Sequence, residues 1–420
     1  MIYNTQQFFD QYQAVAQLDT QLHDQIATIC DTVKQQGDCA LFAYNEQFDR
    51  VTVDTLEVPQ AQLQQAYDTL DAELRQALKL SYQRIYDYQA SIRYQNQPNN
   101  QEMYEVYHPI ERVGVYVPGG KASYPSTVLM TATLAKVAGV KEIVVVTPPQ
   151  TNGIAQSVLA ACHIVGVDHV YQIGGAQSIA ALAYGTETIP KVDKIVGPGN
   201  QYVAYAKKLV YGEVGIDQIA GPSEIALIID DTCDVEAVAY DVLAQAEHDE
   251  MARTYVISTD LALLEQLEGR LSTLAETSER RDIVTASLRD HHYAIYADDF
   301  EACCQLMNEI APEHASIQTA NPEQFVPYIH YVGSLFLGDY APEAIGDYIA
   351  GPSHVLPTNR TARFQHGLSV NDFLTKHTVI QLSRDTYQQT YRAAATIAQD
   401  EQLYNHQQSL TVRMRGENND

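Results

Sequence analysis

The chain has 420 residues, of which 45% are hydrophobic and 19% charged, a composition that excludes a disordered or fibrous protein. At ~150 residues per domain, this length predicts two or three domains. The formal net charge of −27 repels polyanions, so we expect no nucleic-acid partner and no attachment to an anionic membrane surface.

The cysteines and the N-terminal residues indicate the cellular compartment. Six cysteines occur without a C-x-x-C pair, which favours free thiols in a reducing environment. The first Lys or Arg is Lys34, and residues 1–22 are interrupted by Gln and Asp, unlike a secretory signal. Since there is also no run of apolar residues long enough to span a bilayer, the sequence predicts a cytoplasmic protein.

The first hundred residues carry no recognisable chemistry. Apolar residues recur at threes and fours over residues 62–88, which predicts helix. A short strand is expected near residues 51–58.

From about Glu111 onward, short apolar runs alternate with helical patterns. Strands are predicted at 113–117, 142–146, 169–173 and 194–196, and helices at 127–140, 155–165 and 201–211. Strand starts roughly 25–30 residues apart are typical of βαβ units, so we expect parallel strands joined by right-handed crossovers. A second set follows, with strands at 224–230, 254–258 and 334–337, a helix at 235–248 and a helical region over 385–406. The sequence therefore predicts two α/β units with smaller terminal pieces.

Three glycine turns follow strands of the first set, at residues 118–120, 174–175 and 197–199. None has the G-x-G-x-x-G spacing, and each alone is explained by a tight turn that needs glycine torsions. Because all three are predicted at carboxyl ends of parallel strands, where open α/β sheets bind ligands, together they favour a nucleotide site.

Several polar side chains each have a structural and a functional interpretation. Gln245 and His248 are predicted to share one face of a helix that follows Asp234. They are either structural residues or metal ligands. Glu313 and His314 form either an acid–base pair or an exposed loop dyad. The remaining candidates are Asp347, as a cap or a ligand, and Glu401 and His406, facing solvent or a site. His291 and His292 are expected on opposite faces of a strand and receive no role. Cys303 and Cys304 are expected in the core.

Nine stretches in order resemble the histidinol dehydrogenase family, from about residue 20 to about residue 410. They are VGVYVPGG (113–120), PSTVLM (125–130), GGAQ (174–177), VDKIVGPGN (192–200), AGPSE (220–224), QAEH (245–248), PEH (312–314), GDY (346–348) and HVLPT (354–358). Each match alone is weak, but nine in family order and near-family spacing are specific.

The resemblance implies NAD-dependent oxidation of L-histidinol to L-histidine through the aldehyde, with one zinc ion per subunit. The implied zinc ligands are Gln245, His248, Asp347 and His406. The implied NAD contacts are Tyr116, Gln177 and Asn200. The implied substrate contacts are Ser223, His314, Glu401 and the four zinc ligands. Glu313 and His314 are implied as the acid–base pair, with His314 the base of both oxidations and Glu313 activating the water that hydrates the aldehyde. A hydrated intermediate requires no cysteine nucleophile.

The resemblance also implies an architecture. It consists of two Rossmann-like, incomplete doubly wound α/β domains with small helical terminal pieces, in an intertwined homodimer. The expected pieces are a helical arm (1–15), a larger α/β domain (16–115 with 224–367), a nucleotide-binding domain (116–223) and a helical tail (368–420). In the family His406 acts from the partner subunit, whereas the residues alone leave both subunits possible. Departures from the family pattern occur in loops around the site, at Gln218, Ser353, Asn359 and Arg360, and remove none of the implied ligands or bases.

Three other functions stay open at the level of sequence. A relative with the same fold would oxidise another primary alcohol, such as a sulfonated one; Glu401 and His406 argue against it. A zinc hydrolase would use Glu313 to activate water, but the chain has no H-E-x-x-H and the glycine turns would have no use. A non-catalytic binding protein would not be expected to keep a full set of ligands and bases.

Overall fold

The computed structural model describes residues 2–12, 20–96, 101–119 and 123–414. The chain divides into two compact units, one of Met1–Arg93 with Pro109–Phe373 and one of Tyr94–His108 with Leu374–Asp420. Within the described residues the strands are β1 Ile2–Asn4, β2 Met103–Pro109, β3 Arg112–Tyr116, β4 Glu142–Thr147, β5 His169–Gln172, β6 Lys194–Val196, β7 Gly215–Ile216, β8 Glu224–Ile229, β9 Arg253–Ser258, β10 His292–Tyr296, β11 His314–Gln318, β12 Ser334–Leu337 and β13 Leu374–Ile380.

The α-helices of the described residues account for most of the connections between strands. They are α1 Thr5–Gln11, α2 Thr20–Gln36, α3 Asp38–Tyr44, α4 Gln60–Thr69, α5 Ala72–Ile92, α6 Pro125–Ala138, α7 Gln156–Val165, α8 Gly175–Tyr184, α9 Gln201–Val210, α10 Val235–Ala246, α11 Leu261–Ala275, α12 Arg281–His291, α13 Phe300–Ile310, α14 Glu343–Tyr348, α15 Arg384–Asp400 and α16 Tyr404–Thr411.

The two parallel sheets of the larger unit have equivalent strand orders. One has the order β5-β4-β3-β6-β7, and the other has β10-β9-β8-β11-β12 with β1 added beside β10. In both, the first strand lies centrally, the next two lie on one side and the last two on the other, so each is a Rossmann-like half. The predicted α/β class with parallel sheets is confirmed.

Both faces of the second sheet are covered, which explains its uninterrupted apolar strands. Alternate residues of β8 belong to different cores: Ile225 and Leu227 pack with α10, α11 and α12, whereas Ala226 and Ile228 pack with α1 and α13. Cys303 and Cys304 are buried in the second of these cores, as expected, and all six cysteines are free.

Some local predictions were wrong. Instead of a strand, residues 51–58 contribute one antiparallel bridge, between Glu57 and Tyr171. The helix over 62–88 is two helices, because Asp71 caps a new helix by accepting from the Glu73 and Leu74 N–H groups. His291 ends α12 and His292 begins β10, so the two histidines do not share a strand. Gly120 and residues 13–15, parts of the first glycine turn and of the N-terminal arm, lie outside the described residues.

The smaller unit contains a two-stranded sheet of β2 and β13, followed by α15 and α16. Within the described residues, no helix combines the length and apolar character needed to cross a membrane. The four-part division of the chain predicted above stays a prediction.

Candidate active site

The predicted acid–base pair lies at the amino edge of the six-stranded sheet. His314 begins β11, which pairs in parallel with β8 so that His314 lies opposite Ile225. The preceding residue of β8, Glu224, contacts both members of the pair: its N–H donates to Glu313 Oε2 (3.0 Å), and its carbonyl oxygen lies 3.1 Å from His314 Nδ1. Glu313 and His314 are both buried, so they are not an exposed loop dyad.

The contact with Glu224 decides which ring nitrogen of His314 is protonated. A carbonyl oxygen only accepts hydrogen bonds, so Nδ1 carries the hydrogen and Nε2 has the free lone pair. Burial, together with the nearby His248 and His354, lowers the pKa of His314 to about 3, although the hydrogen bond with the Glu224 carbonyl acts in the opposite direction. At neutral pH the ring is therefore an uncharged base, with Nε2 3.8 Å from Asp347 Oδ1.

The Glu313 carboxyl is held at one oxygen. Burial raises the pKa of Glu313 well above its usual value, and the negative charges of Glu224 and Asp347 add to this effect. When ionised, such a carboxylate is a stronger base than an exposed glutamate. Because Oε2 accepts from the Glu224 N–H group, Oε1 is the oxygen available to take a proton.

A cluster of nitrogen and oxygen donors adjoins His314. α10 starts after the cap Asp234, as predicted, and brings Gln245 to its last turn, with His248 just beyond its end. One ligand atom each from His248, Glu343 and Asp347 lies within 4.8 Å of the others. The structure therefore brings His248 and Asp347 together, and Asp347 lies inside α14 and not at its N-cap.

Gln245 joins this cluster through Glu343. With its amide oriented to satisfy both groups, the Gln245 nitrogen donates to Glu343 Oε1 (2.6 Å) and Oε2 (3.1 Å). That orientation leaves the Gln245 carbonyl oxygen free for another partner. Sequence analysis missed Glu343, although its position four residues before Asp347 on a helix was a usable signal, since such residues share a face.

The electrostatics of the cluster fit a divalent cation. Burial raises the pKa of Asp347 to about 7. It raises the pKa of Glu343 well above the usual range, with added repulsion from Asp347 and Glu313. Carboxylates that repel one another in a buried site would be relieved by a positive ion. An amide oxygen, an imidazole and carboxylates without thiolates suit zinc in a site with open positions.

His354 is a further buried group beside the cluster. Its Nδ1 lies 3.2 Å from the Asp347 carbonyl oxygen, and its Nε2 has no hydrogen-bond partner among the described residues. Burial lowers the pKa of His354 to about 4, so the free nitrogen is a neutral acceptor. The sequence showed this histidine only as part of a motif, with no role.

The predicted dinucleotide residues meet at the carboxyl edge of the five-stranded sheet. Tyr116 ends β3, and Asn200 caps α9 after the neighbouring strand β6, accepting from the Val203 N–H (3.2 Å). Gln177 is buried near the start of α8, and the Tyr116 hydroxyl accepts from the Gly175 N–H (3.4 Å). β3 and β6 are the strands between which the order of the sheet reverses, the usual ligand position in such folds.

Close backbone packing explains the glycine turns there. A Cβ atom on Gly174 would lie 2.3 Å from Pro148 Cγ, and one on Gly197 would lie 2.2 Å from the Tyr116 carbonyl oxygen. The turns lead into the N-terminal ends of α8 and α9, where free N–H groups favour phosphate. The residues present therefore fit a dinucleotide.

The remaining predicted contacts are Ser223 of the larger unit and two residues of the smaller unit. Ser223 directly precedes β8, and its carbonyl oxygen accepts from the Arg253 N–H (2.9 Å). Glu401 caps the end of α15, and His406 lies in the first turn of α16, both in the smaller unit. Their participation in the site stays a prediction.

The loop departures take part in the packing around the site. Gln218 donates to the Leu356 carbonyl, and Ser353 donates to the Met130 carbonyl (2.8 Å). Asn359 contacts the two side chains next to Glu313 and His314: its N–H donates to Glu224 Oε2 (3.2 Å), and its Oδ1 accepts from Arg253 (3.3 Å).

The Asn359–Arg360 pair also has an unusual backbone. The two residues have φ of 52° and 65°, in the left-handed region that favours glycine. Arg360 compensates by donating to Glu309 Oε2 (2.9 Å).

A surface groove of about 600 Å³ lies between α10 and α11, lined by residues that include Asp234 and Arg270. It is at the opposite end of α10 from His248 and contains none of the predicted site residues.

The chain is similar to known proteins over almost its whole length. A family model described as histidinol dehydrogenase matches residues 13–414. The chain is 61% identical over 420 residues to histidinol dehydrogenase of Staphylococcus saprophyticus, covering 100% of this chain and 99% of that protein. It is 62% identical over 412 residues to histidinol dehydrogenase of Staphylococcus aureus, covering 98% and 99% of the two chains. The crystal structure of histidinol dehydrogenase from Elizabethkingia anophelis superposes with a TM-score of 0.94 at 33% identity, covering 99% of this chain and 98% of that one.

Proposed function

The chain belongs to the histidinol dehydrogenase family, and we propose that it oxidises L-histidinol to L-histidine through L-histidinal, with two NAD and one zinc ion per subunit. The observation that carries this proposal is the buried Glu313–His314 pair, held on the Glu224 main chain beside a donor cluster suited to one cation.

In the first oxidation His314 is the base. Its Nε2 takes the proton of the alcohol oxygen as a hydride leaves the adjoining carbon. Burial keeps the ring neutral, so the Nε2 lone pair is unprotonated and available to the alcohol proton, and general-base help of this kind contributes ~10²–10⁴ in rate. The Glu224 carbonyl, bound at Nδ1, keeps the ring in the required tautomer.

In the second oxidation the aldehyde must first gain water, because a hydrated aldehyde donates a hydride more readily. Glu313 removes a proton from that water through its free oxygen, Oε1, while His314 returns the proton that it took in the first oxidation to the aldehyde oxygen, which completes the diol and leaves His314 neutral. His314 then deprotonates the resulting diol for the second hydride transfer. Neither step needs a nucleophilic thiol, in keeping with the burial of Cys303 and Cys304.

Gln245, His248 and Asp347 would hold the zinc ion, with His406 as fourth ligand. When bound, the ion supplies positive charge and orients the imidazole and amino nitrogens of the substrate. Glu343 accepts from the Gln245 amide nitrogen, which would leave the Gln245 carbonyl oxygen free to bind the ion. Ser223, Glu401 and the free Nε2 of His354 are the further groups we assign to substrate binding.

NAD, when bound, accepts the hydride of each oxidation. Tyr116, Gln177 and Asn200 would hold it at the reversal point of the five-stranded sheet. We further propose a cytoplasmic homodimer in which Glu401 and His406 complete the site of the partner. Mixing His248→Ala with His406→Ala protein tests this sharing, since a mixed dimer would contain one intact site. Mixtures as inactive as the separate variants would refute it.

A stoichiometry assay tests the reaction. We expect two NADH per histidinol consumed, loss of activity on chelation and recovery with zinc. One NADH per histidinol would refute the four-electron reaction, and NAD-independent turnover would indicate hydrolysis. Faster turnover of another small alcohol in a substrate panel would refute histidinol as the substrate.

A further inference from the structure

One lysine–carboxylate pair of the larger unit is almost fully buried. Lys207 on α9 and Asp217 just after β7 are each 3% exposed, with Lys207 Nζ 2.5 Å from Asp217 Oδ1. A buried ion pair is tolerated only when its remaining donors and acceptors are also satisfied. The partners that satisfy these two side chains therefore show what the pair holds in place.

The pair holds one residue of the third glycine turn. Lys207 Nζ donates to the Gly197 carbonyl oxygen (2.7 Å), and the Gly197 N–H donates to Asp217 Oδ2 (2.7 Å). Both main-chain polar groups of Gly197 are thus bound by the same ion pair. Because neither charged side chain is accessible, the pair acts on the turn and does not itself touch a ligand.

Gly197 lies between two of the residues assigned to the dinucleotide. Its φ of 114° and its packing against the Tyr116 carbonyl oxygen, where no Cβ would fit, place the turn directly on the end of β3. Three residues later Asn200 caps α9, the helix that also carries Lys207. The pair therefore joins the turn to α9 and to β7, and fixes Asn200 relative to Tyr116.

We propose that Lys207 and Asp217 are positioning residues for dinucleotide binding, which hold the turn of residues 197–199 in the shape that receives the cofactor. This inference rests on the proposed use of NAD. A pair that served stability alone would leave affinity for the dinucleotide unchanged in any variant that still folds.

The test compares Lys207→Met, the double variant Lys207→Met with Asp217→Leu, and the control Lys191→Met. The double variant removes the pair without leaving a buried charge. Lys191 makes a similar contact, 2.6 Å from Glu213 Oε1, but that pair is half exposed and does not bind the turn. The readouts are the NADH dissociation constant from fluorescence, the KM values for NAD and histidinol, and zinc content.

We expect the NADH dissociation constant and the KM for NAD to rise by about tenfold or more in both pair variants, because binding groups displaced by ~1 Å lose much of their effect. Zinc content and the KM for histidinol should not change, and Lys191→Met should resemble the unmodified protein.

A folded double variant with unchanged NADH affinity would overturn the proposal. If the double variant does not fold, the variant Asp217→Asn, which keeps the shape of the side chain, is measured instead. A raised NADH dissociation constant in this variant supports the proposal, and an unchanged one overturns it. Failure of the unmodified protein to bind NADH would instead refute the proposed function.

Discussion

Arg253 neutralises the buried carboxylate of Glu224, whose main chain holds the proposed catalytic pair. The substitution Arg253→Met should show how much stability and turnover depend on this ion pair. Arg253 Nη1 lies 3.3 Å from Glu224 Oε1, and the two side chains are 12% and 1% exposed. Removing one partner of a buried ion pair typically costs ~3–5 kcal/mol of stability. We expect a loss of this size in the free energy of unfolding above pH 7.

The loss should depend on pH in a defined direction. Burial raises the pKa of Glu224 to about 7, although Arg253 lowers it, so removing Arg253 raises that pKa further. A carboxyl whose folded-state pKa is raised contributes stability fully present below its unfolded pKa and lost as pH rises through the folded value. Near pH 5 Glu224 is protonated with or without Arg253, so the difference between the two proteins should be small there.

Urea denaturation of the unmodified protein, Arg253→Met, Glu224→Gln and the double variant measures both effects. The double variant should be more stable than Arg253→Met above pH 7, since it leaves no unpaired charge. Turnover should also fall in Arg253→Met, because the Glu224 main chain holds Glu313 and His314, the proposed catalytic residues. An equal stability loss at pH 5 and above pH 7, or a double variant no better than Arg253→Met, would refute this reasoning.

Three more substitutions test the site itself. His248→Ala should abolish retention of zinc after gel filtration, and normal zinc content by elemental analysis would mean that the ligand set is wrong. Glu313→Gln should impair the overall oxidation of histidinol far more than the oxidation of supplied histidinal hydrate; equal losses would exclude its role in hydration. Glu343→Gln removes the carboxylate that orients Gln245 and should weaken zinc binding by ~10–100-fold, measured by chelator competition. Unchanged affinity would show that Glu343 does not support the metal site.

The local sequence pattern was sufficient to predict several individual helices and strands. The strand prediction at 194–196 and the start of α10 after Asp234 match the structure, because continuous apolar runs and helix caps are properties of neighbouring residues. The prediction of a strand near residues 51–58 was wrong, because neighbouring residues do not determine the pairing of this segment. Its one bridge joins Glu57 to Tyr171, more than a hundred positions away.

The amino acids by themselves determined which chemistry is available: an adjacent carboxyl and imidazole, donors at helical spacing and glycines after strands. Tertiary structure decided how those groups are arranged. It put Glu313 and His314 at the amino edge of one sheet and the glycine turns at the carboxyl edge of the other, added Glu343 to the donors, and buried Lys207 against Asp217. Burial and through-space contact set tautomer, charge and proton affinity, and both arise only when segments far apart in the chain pack together.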